Sequence, residues 1–283
     1  MKKAFAFPLT RLVLIISGFI ALAAVVLRPL AMKPQAALLG QTLTFLLLLA
    51  VTLLVERLCA NQTLADIGFS GRGAISGTLS GLLLGGVLFS IVIGILALTH
   101  AYTAHFASWH GLGTALVLFL IVALFEELLF RGVIFRLIEQ MTGTWIALAL
   151  SAALFGLLHI ANPGATVFSS IAIALEAGVL LALAYVLTRS LWFAIGIHWG
   201  WNLFEGPIFG TQVSGTQFTA TVLHASMHGQ SWLTGGKFGP EAGLVAIIVC
   251  VATAVIVGAA AIRKQRLIQP LWERLRVMAP SSP

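Results

Sequence analysis

The chain has 283 residues, of which 59% are hydrophobic and only 9% are charged, and its formal net charge is +7. A soluble globular domain carries about 25% charged residues, so this composition excludes an ordinary soluble protein and indicates a polytopic membrane protein. Because the lysines and arginines lie mostly outside the apolar stretches, we interpret the positive charge as a topology signal and not as a nucleic acid binding surface.

Eight apolar stretches predict an all-α bundle of about eight transmembrane helices, in one membrane domain covering residues 1–283. The first stretch contains Ala21 and Ala23 in the A-x-A pattern of a signal peptide, but it continues past that point, which favours an uncleaved span. The predicted spans cover about residues 9–27, 38–55, 75–98, 114–135, 145–160, 167–187, 191–204 and 242–262.

The distribution of basic residues predicts the orientation of the bundle. Eight spans place both termini on one side, where 13 of the 16 lysines and arginines fall; Arg28, Lys33 and Lys237 fall on the other. This bias predicts cytoplasmic termini. Residues 263–283 form a basic tail whose charges alternate with apolar residues, which is typical of an amphipathic helix on an anionic membrane surface. A frayed tail is the alternative.

Residues 125–131, Phe-Glu-Glu-Leu-Leu-Phe-Arg, place three charges inside the fourth span. Each charge costs roughly 2.5 to 3.5 kcal/mol near the centre of a membrane helix, so the segment inserts comfortably only if the charges face protein or water. On an α-helix Glu127 and Arg131 face each other one turn apart, whereas Glu126 points about 100° away. The Glu127–Arg131 pair alone could have a structural role, but such a pair does not explain why the span also contains Glu126.

Two later spans add polar residues at helical spacing. The fifth carries Phe155-x-x-x-His159, and the seventh carries His198-x-x-x-Asn202. A carboxylate partly removed from bulk water can accept a proton from an attacking water and return it to a leaving amine, and a neutral imidazole can share that water. His198 and Asn202 can donate hydrogen bonds to the oxyanion of a tetrahedral intermediate. These side chains therefore suit the hydrolysis of a peptide bond.

Motifs of two other classes of intramembrane protease are missing from the sequence. It contains no H-E-x-x-H zinc motif and no G-x-G-D aspartyl motif, and Ser214-Gly215 lacks the preceding glycine of a G-x-S-G serine site. The two cysteines, Cys59 and Cys250, have no metal-type spacing and indicate no disulfide framework. His224-x-x-x-His228 has a metal-type spacing but no acidic neighbour, so we interpret it as a solvated loop feature.

The order and spacing of the three intramembrane motifs resemble the CPBP family of intramembrane proteases. This family is the bacterial Abi or CAAX-protease group, related to the eukaryotic prenyl-protein endopeptidases. The resemblance covers about residues 114–210, the predicted catalytic core. The residues that carry it are Glu126, Glu127, Arg131, Phe155, His159, His198 and Asn202.

The resemblance implies a role for each motif residue. Glu126 and His159 would activate the water, and His198 and Asn202 would form the oxyanion hole. Glu127 and Arg131 would shape and neutralise the site, with Phe155 packed beside it. The resemblance also implies a cavity that opens toward the cytosol.

Metal dependence remains open at the level of the sequence. Members of the family are often called metalloproteases, and Glu126, His159 and His198 could supply three zinc ligands with water as the fourth. No compact ligand pair lies within the spans, which favours a metal-free reaction without a cofactor.

Two functions are therefore compared. The first is a membrane endopeptidase that acts on a peptide or membrane-anchored protein in contact with lipid and not with nucleic acid. The second is a non-catalytic transporter, bacteriocin-immunity or scaffold component whose buried ionisable groups relay protons or bind a partner. Glu176, in the sixth span, could line the substrate cavity, support a histidine or reach water near the membrane surface.

Overall fold

The computed structural model describes residues 5–27 and 37–278, and Arg28 and Lys33 lie outside these ranges, as do Lys2 and Lys3. The main helices and the two strands of the described part are numbered in chain order. Their bounds are α1 (Pro8–Val26), α2 (Ala37–Ala60), α3 (Ala74–Leu98), β1 (Tyr102–Phe106), α4 (Leu112–Thr142), α5 (Thr144–Ala161), α6 (Val167–Thr188), α7 (Leu191–Leu203), β2 (Leu223–Met227), α8 (Leu244–Arg263) and α9 (Leu271–Met278).

The predicted fold class, an all-α polytopic membrane protein, is confirmed. Seven helices of the described ranges, α1 to α6 and α8, are long and apolar enough to cross a membrane. The remaining predicted span is α7, a helix of 13 residues that continues as the π-helical segment Phe204–Ile208. It is buried along most of its length, so its position in the bundle is set by packing against other helices.

Close packing between α3 and α7 fixes the position of α7. Gly81 and Gly85 of α3 lie against the backbone of α7, where an added Cβ would overlap the carbonyl oxygens of Phe193 and Ile197. Gly196 and Gly200 of α7 lie equally close to the backbone of α3. Glycines on both helices therefore bring the two backbones into contact.

The bundle has two chemically different ends. At one end, Arg189 forms an ion pair with Glu139 at 2.6 Å, and Arg274 of α9 donates a hydrogen bond to the carbonyl oxygen of Gln140. We call this the arginine-rich end. At the opposite end, the strand end, β1 and β2 form an antiparallel pair. His224 lies opposite His105 in this pair, so it is a strand residue and the expected loop is a small sheet.

A buried ionic cluster joins three helices near the arginine-rich end. Glu56 of α2 accepts hydrogen bonds from Arg11 of α1 at 2.6 Å and from Arg136 of α4 at 2.5 Å. All three residues are buried, so each charge requires the others. The cluster fixes α1 and α2 against the charged half of α4.

Three segments of the described chain are π-helical, and each contains or adjoins a buried charged residue. Leu128–Phe135 of α4 contains Arg131, Ala174–Gly178 of α6 contains Glu176, and Phe204–Ile208 contains Glu205. π-Helical turns are rare and are frequently found at functional sites. The three π-helical segments therefore suggest a functional site between the centre of the bundle and its strand end.

Candidate active site

One cavity of about 370 Å³ brings together the four residues predicted to be catalytic. Glu126 of α4, His159 of α5, and His198 and Asn202 of α7 all line it. Three motifs from separate helices therefore share one chamber, although 76 residues separate the first of these side chains from the last.

The two adjacent glutamates have different environments. The Glu126 side chain is 23% exposed and faces the cavity, whereas the Glu127 side chain has no exposed surface. The α-helix ends at Glu127 and the π-helix begins at the next residue, so both carboxyl groups leave a regular helix in different directions. Glu126 alone is free to contact a substrate or water.

Glu127 connects α4 to α7 through a single carboxylate oxygen. Its Oε1 accepts a hydrogen bond from Arg131 Nη1 at 2.8 Å, the predicted one-turn pair. The same atom lies 2.9 Å from His198 Nδ1, which donates to it because a carboxylate can only accept. Glu127 therefore orients His198 as well as neutralising Arg131.

Arg131 also holds the neighbouring helix. Its Nη2 donates to the carbonyl oxygen of Ala177 at 2.6 Å, within the π-helical segment of α6. Its guanidinium carbon lies 4.7 Å from the centroid of the Phe155 ring, a cation–π distance. Phe155 is almost fully buried and packs beside the site as the sequence predicted.

The tautomer of His159 is fixed by a backbone group. His159 Nδ1 lies 2.7 Å from the carbonyl oxygen of Phe155, and a carbonyl oxygen can only accept, so Nδ1 carries the hydrogen. The Phe155 and His159 rings also pack against each other at a tilt of 37°, with their centroids 4.7 Å apart. In the neutral imidazole, Nε2 therefore keeps its lone pair for a water molecule or a substrate group.

His198 and Glu126 approach each other across the cavity. Nε2 of His198 lies 3.9 Å from Oε2 of Glu126, which is too long for a direct hydrogen bond. A water molecule could lie at hydrogen-bond distance from both groups. Because Nδ1 donates to Glu127, Nε2 can donate to an oxyanion only when His198 is an imidazolium, whose charge Glu127 and Glu126 would balance.

Comparison with family models supports the resemblance described above. A family model described as type II CAAX prenyl endopeptidase Rce1-like matches residues 107–204. The predicted resemblance to the CAAX protease-like family is confirmed. The matched segment contains all three motifs. No curated protein and no solved structure showed a significant similarity to the chain.

The matching family model describes a membrane endopeptidase. At family level, the match supports the interpretation that the chain is a hydrolase acting on a peptide or protein. The arrangement does not fit the zinc site considered above. Within the described residues, no group of three histidine, cysteine, aspartate or glutamate side chains is placed to hold a metal ion.

Three glutamates outside the family motifs lie buried beside the cavity. Glu176 and Glu241 line it, and Glu205 is fully buried behind Glu241. The sequence identified only Glu176. Glu205 and Glu241 flank predicted helix ends, next to Gly206-Pro207 and Pro240, and nothing in their local pattern distinguishes them from solvated loop acids.

The cavity lies toward the strand end of the bundle. Its lining residues outside the long helices come from the turn after α5 and from the connection between α7 and α8: Asn162, Ser214, Thr216, Phe218 and Glu241. The first and last described residues, Phe5 and Met278, lie on the opposite side, at the arginine-rich end. Cytoplasmic termini and a cavity facing the cytosol, both expected from the sequence, are therefore incompatible in this fold.

Proposed function

We propose that the chain is a membrane endopeptidase that hydrolyses a peptide bond by direct attack of a water molecule. The observation that carries the proposal is the convergence of Glu126, His159, His198 and Asn202 on one cavity, with Glu126 as the exposed member of an otherwise buried charge network. The family match supports the reaction class.

In the first step, Glu126 accepts a proton from a water molecule that His159 Nε2 orients through its free lone pair. The water oxygen forms a bond to the carbonyl carbon of the substrate, and the carbonyl oxygen becomes an oxyanion. General base catalysis of this kind contributes about 10²- to 10⁴-fold in rate. The hydrogen bond from His159 to the Phe155 carbonyl supports this role, because it keeps the ring fixed.

In the second step, the oxyanion is stabilised and the amine leaves. His198, as an imidazolium held by Glu127, donates from Nε2, and the Asn202 carboxamide donates from one turn further along α7. The carbon–nitrogen bond then breaks, and Glu126 returns its proton to the leaving amine. Removal of one oxyanion donor typically costs about 10²- to 10³-fold in kcat.

The proposal includes a side of the membrane. Among the described residues, Lys237 is the only lysine or arginine at the strand end. Arg57, Arg72, Arg189 and Arg263 lie at the arginine-rich end. The positive-inside rule therefore places the arginine-rich end in the cytoplasm and the cavity in the opposite half of the membrane. Cleavage is expected near the non-cytoplasmic surface.

The deciding experiment measures new peptide termini. Purified protein in nanodiscs is incubated with a mixed peptide library, and cleavage products are identified by mass spectrometry. Glu126→Gln should reduce cleavage at least 100-fold, whereas Glu273→Gln, which changes an exposed glutamate of α9, should not reduce it. A folded Glu126→Gln protein that cleaves normally would refute the base role. Proton-driven solute flux that needs Glu126, with no cleavage by the wild type, would support a transporter instead.

A further inference from the structure

The same cavity contains a second group of acidic side chains, which do not belong to the catalytic motifs. Glu176 of α6 and Glu241, in the turn before α8, both line the cavity, and the exposed fractions of these residues are 2% and 4%. Glu205 is fully buried and close enough to Glu241 for the two carboxyl groups to share a hydrogen bond. Three parts of the chain thus place carboxyl groups together.

These carboxyl groups lack positive partners. In the described ranges, none of the three forms an ion pair with a lysine or arginine. Oε1 of Glu176 is buried, belongs to a cavity-lining side chain and has no hydrogen-bond partner in the described ranges. Glu241 is held in place because its Oε1 accepts a hydrogen bond from the backbone N–H of Ser214 at 2.5 Å.

Unpaired buried carboxyl groups are costly, whether they are ionised or neutral without partners. Burial raises the pKa of Glu241 because it disfavours the ionised form. A positive charge beside the carboxyl group would favour the ionised form and lower the pKa again. A cation entering the cavity would satisfy the free oxygens.

The walls around the acids are apolar. Leu180, Leu181 and Ile197 line the cavity together with Glu176 and Glu241. A long aliphatic stem with a charged head fits such a surface, because the stem packs against the leucines while the head reaches the carboxylates. A bare metal ion fits less well, since no three of these side chains are placed as ligands in the described ranges.

We propose that Glu176 and Glu241, supported by Glu205, form a subsite that binds a basic side chain of the substrate, a lysine or arginine near the cleaved bond. The assignment of the bound group as part of a substrate rests on the proposed function. The subsite shares the cavity with Glu126, so a peptide could occupy both places at once.

The specificity experiment compares lysine with norleucine, which has a similar stem but no ammonium group. Peptides cleaved by the wild-type protein are resynthesised with each residue at every position around the cleaved bond. At one position, lysine should raise kcat/KM at least 10-fold over norleucine. Glu176→Gln and Glu241→Gln should reduce this ratio toward one, and the exposed control Glu273→Gln should keep it.

A binding experiment removes the dependence on catalysis. In a Glu126→Gln background, hexylamine should raise the melting temperature, while hexanol at the same concentration should raise it less. The additional replacements Glu176→Gln and Glu241→Gln should abolish the difference between the two probes. Because glutamine is nearly isosteric and needs no counter-charge, both variants are expected to fold, and their melting in buffer verifies this.

The outcomes separate the two proposals. Hexylamine binding that needs the glutamates, combined with no cleavage of any peptide, would refute the protease and keep the cation subsite. Cleavage without a lysine preference, combined with equal shifts from hexylamine and hexanol, would refute the subsite and keep the protease. Stabilisation by calcium but not by hexylamine would also overturn the subsite proposed here.

Discussion

Oε1 of Glu127 lies 2.8 Å from Arg131 Nη1 and 2.9 Å from His198 Nδ1, so one oxygen atom connects the charge pair of α4 to a histidine of α7. The neighbouring Glu126 contacts neither Arg131 nor His198 at hydrogen-bond distance and faces the cavity. Replacement of Glu126 and replacement of Glu127 are therefore expected to have different effects on activity and stability.

Glu127→Gln should destabilise the protein far more than Glu126→Gln does. Without Glu127, the guanidinium of Arg131 stays buried without its counter-charge, and such a loss costs about 3–5 kcal/mol. Glu126 forms no such pair, so its replacement should lower activity with little change in unfolding. Unfolding in mixed micelles and peptide cleavage measure the two effects. Equal loss of stability in both variants would contradict the assignment.

His159→Asn should keep the fold and lose the reaction. An asparagine amide can donate to the Phe155 carbonyl as Nδ1 does, but it has no equivalent of the basic Nε2. We expect kcat/KM to fall about 10²- to 10⁴-fold, the range of general base catalysis, with a nearly unchanged melting temperature. Normal activity in a folded variant would remove His159 from the water-activating pair.

Gly85→Ala should disturb the site from a distance. A methyl group at this position overlaps the carbonyl oxygen of Ile197, so α3 and the helix that carries His198 must move apart. Overpacking of this kind costs about 1–3 kcal/mol. The matched control is Gly94→Ala on the same helix, because an added Cβ there meets nothing within 4 Å. Equal melting temperatures for the two variants would show that the helix contact at Gly85 does not limit the stability of the protein.

Local patterns were sufficient to predict the helices and the three motifs. Apolar runs located the spans to within a few residues except at the arginine-rich ends of two of them: α2 extends to Ala60 and α4 to Thr142, because Glu56, Arg57 and Arg136 interrupt the apolar run without ending the helix. Buried ion pairing between Glu56 and Arg136 makes these two charges tolerable, and pairing between distant helices cannot be recognised from composition alone.

Contacts across the fold were the part that the sequence could not supply. Helical spacing predicted the bond between Glu127 and Arg131, but the bond from His198 to Glu127 joins residues 71 positions apart. Likewise, β1 and β2 are short and separated by more than 100 residues, so no hairpin signal existed. The local sequence does not distinguish Glu241 from an exposed loop acid, because its burial depends on how the connection folds back over the cavity.

Glu241 should make stability depend on pH. Burial raises the pKa of its carboxyl group, and this effect outweighs the lowering by the Ser214 hydrogen bonds, His159 and Glu205. The folded state then holds the proton more tightly than the unfolded state, so the stability contribution is full below the unfolded pKa of 4.5 and is lost as pH rises through the folded pKa. Melting temperatures of Glu241→Gln should fall less with rising pH than those of the wild type. Parallel pH profiles would contradict the burial of an ionisable Glu241.

The cavity should face away from the cytoplasm, and selective labelling can test this directly. Thr219 lies in the connection at the strand end and Lys264 follows α8 at the arginine-rich end, and both residues are exposed. In a background with Cys59→Ala and Cys250→Ala, a membrane-impermeant maleimide added to intact cells should label Thr219→Cys but not Lys264→Cys. Lysed cells should label both, which controls for reactivity. The reverse pattern in intact cells would place the cavity on the cytoplasmic side, as the family resemblance implied, and would show that the positive-inside rule fails for this chain.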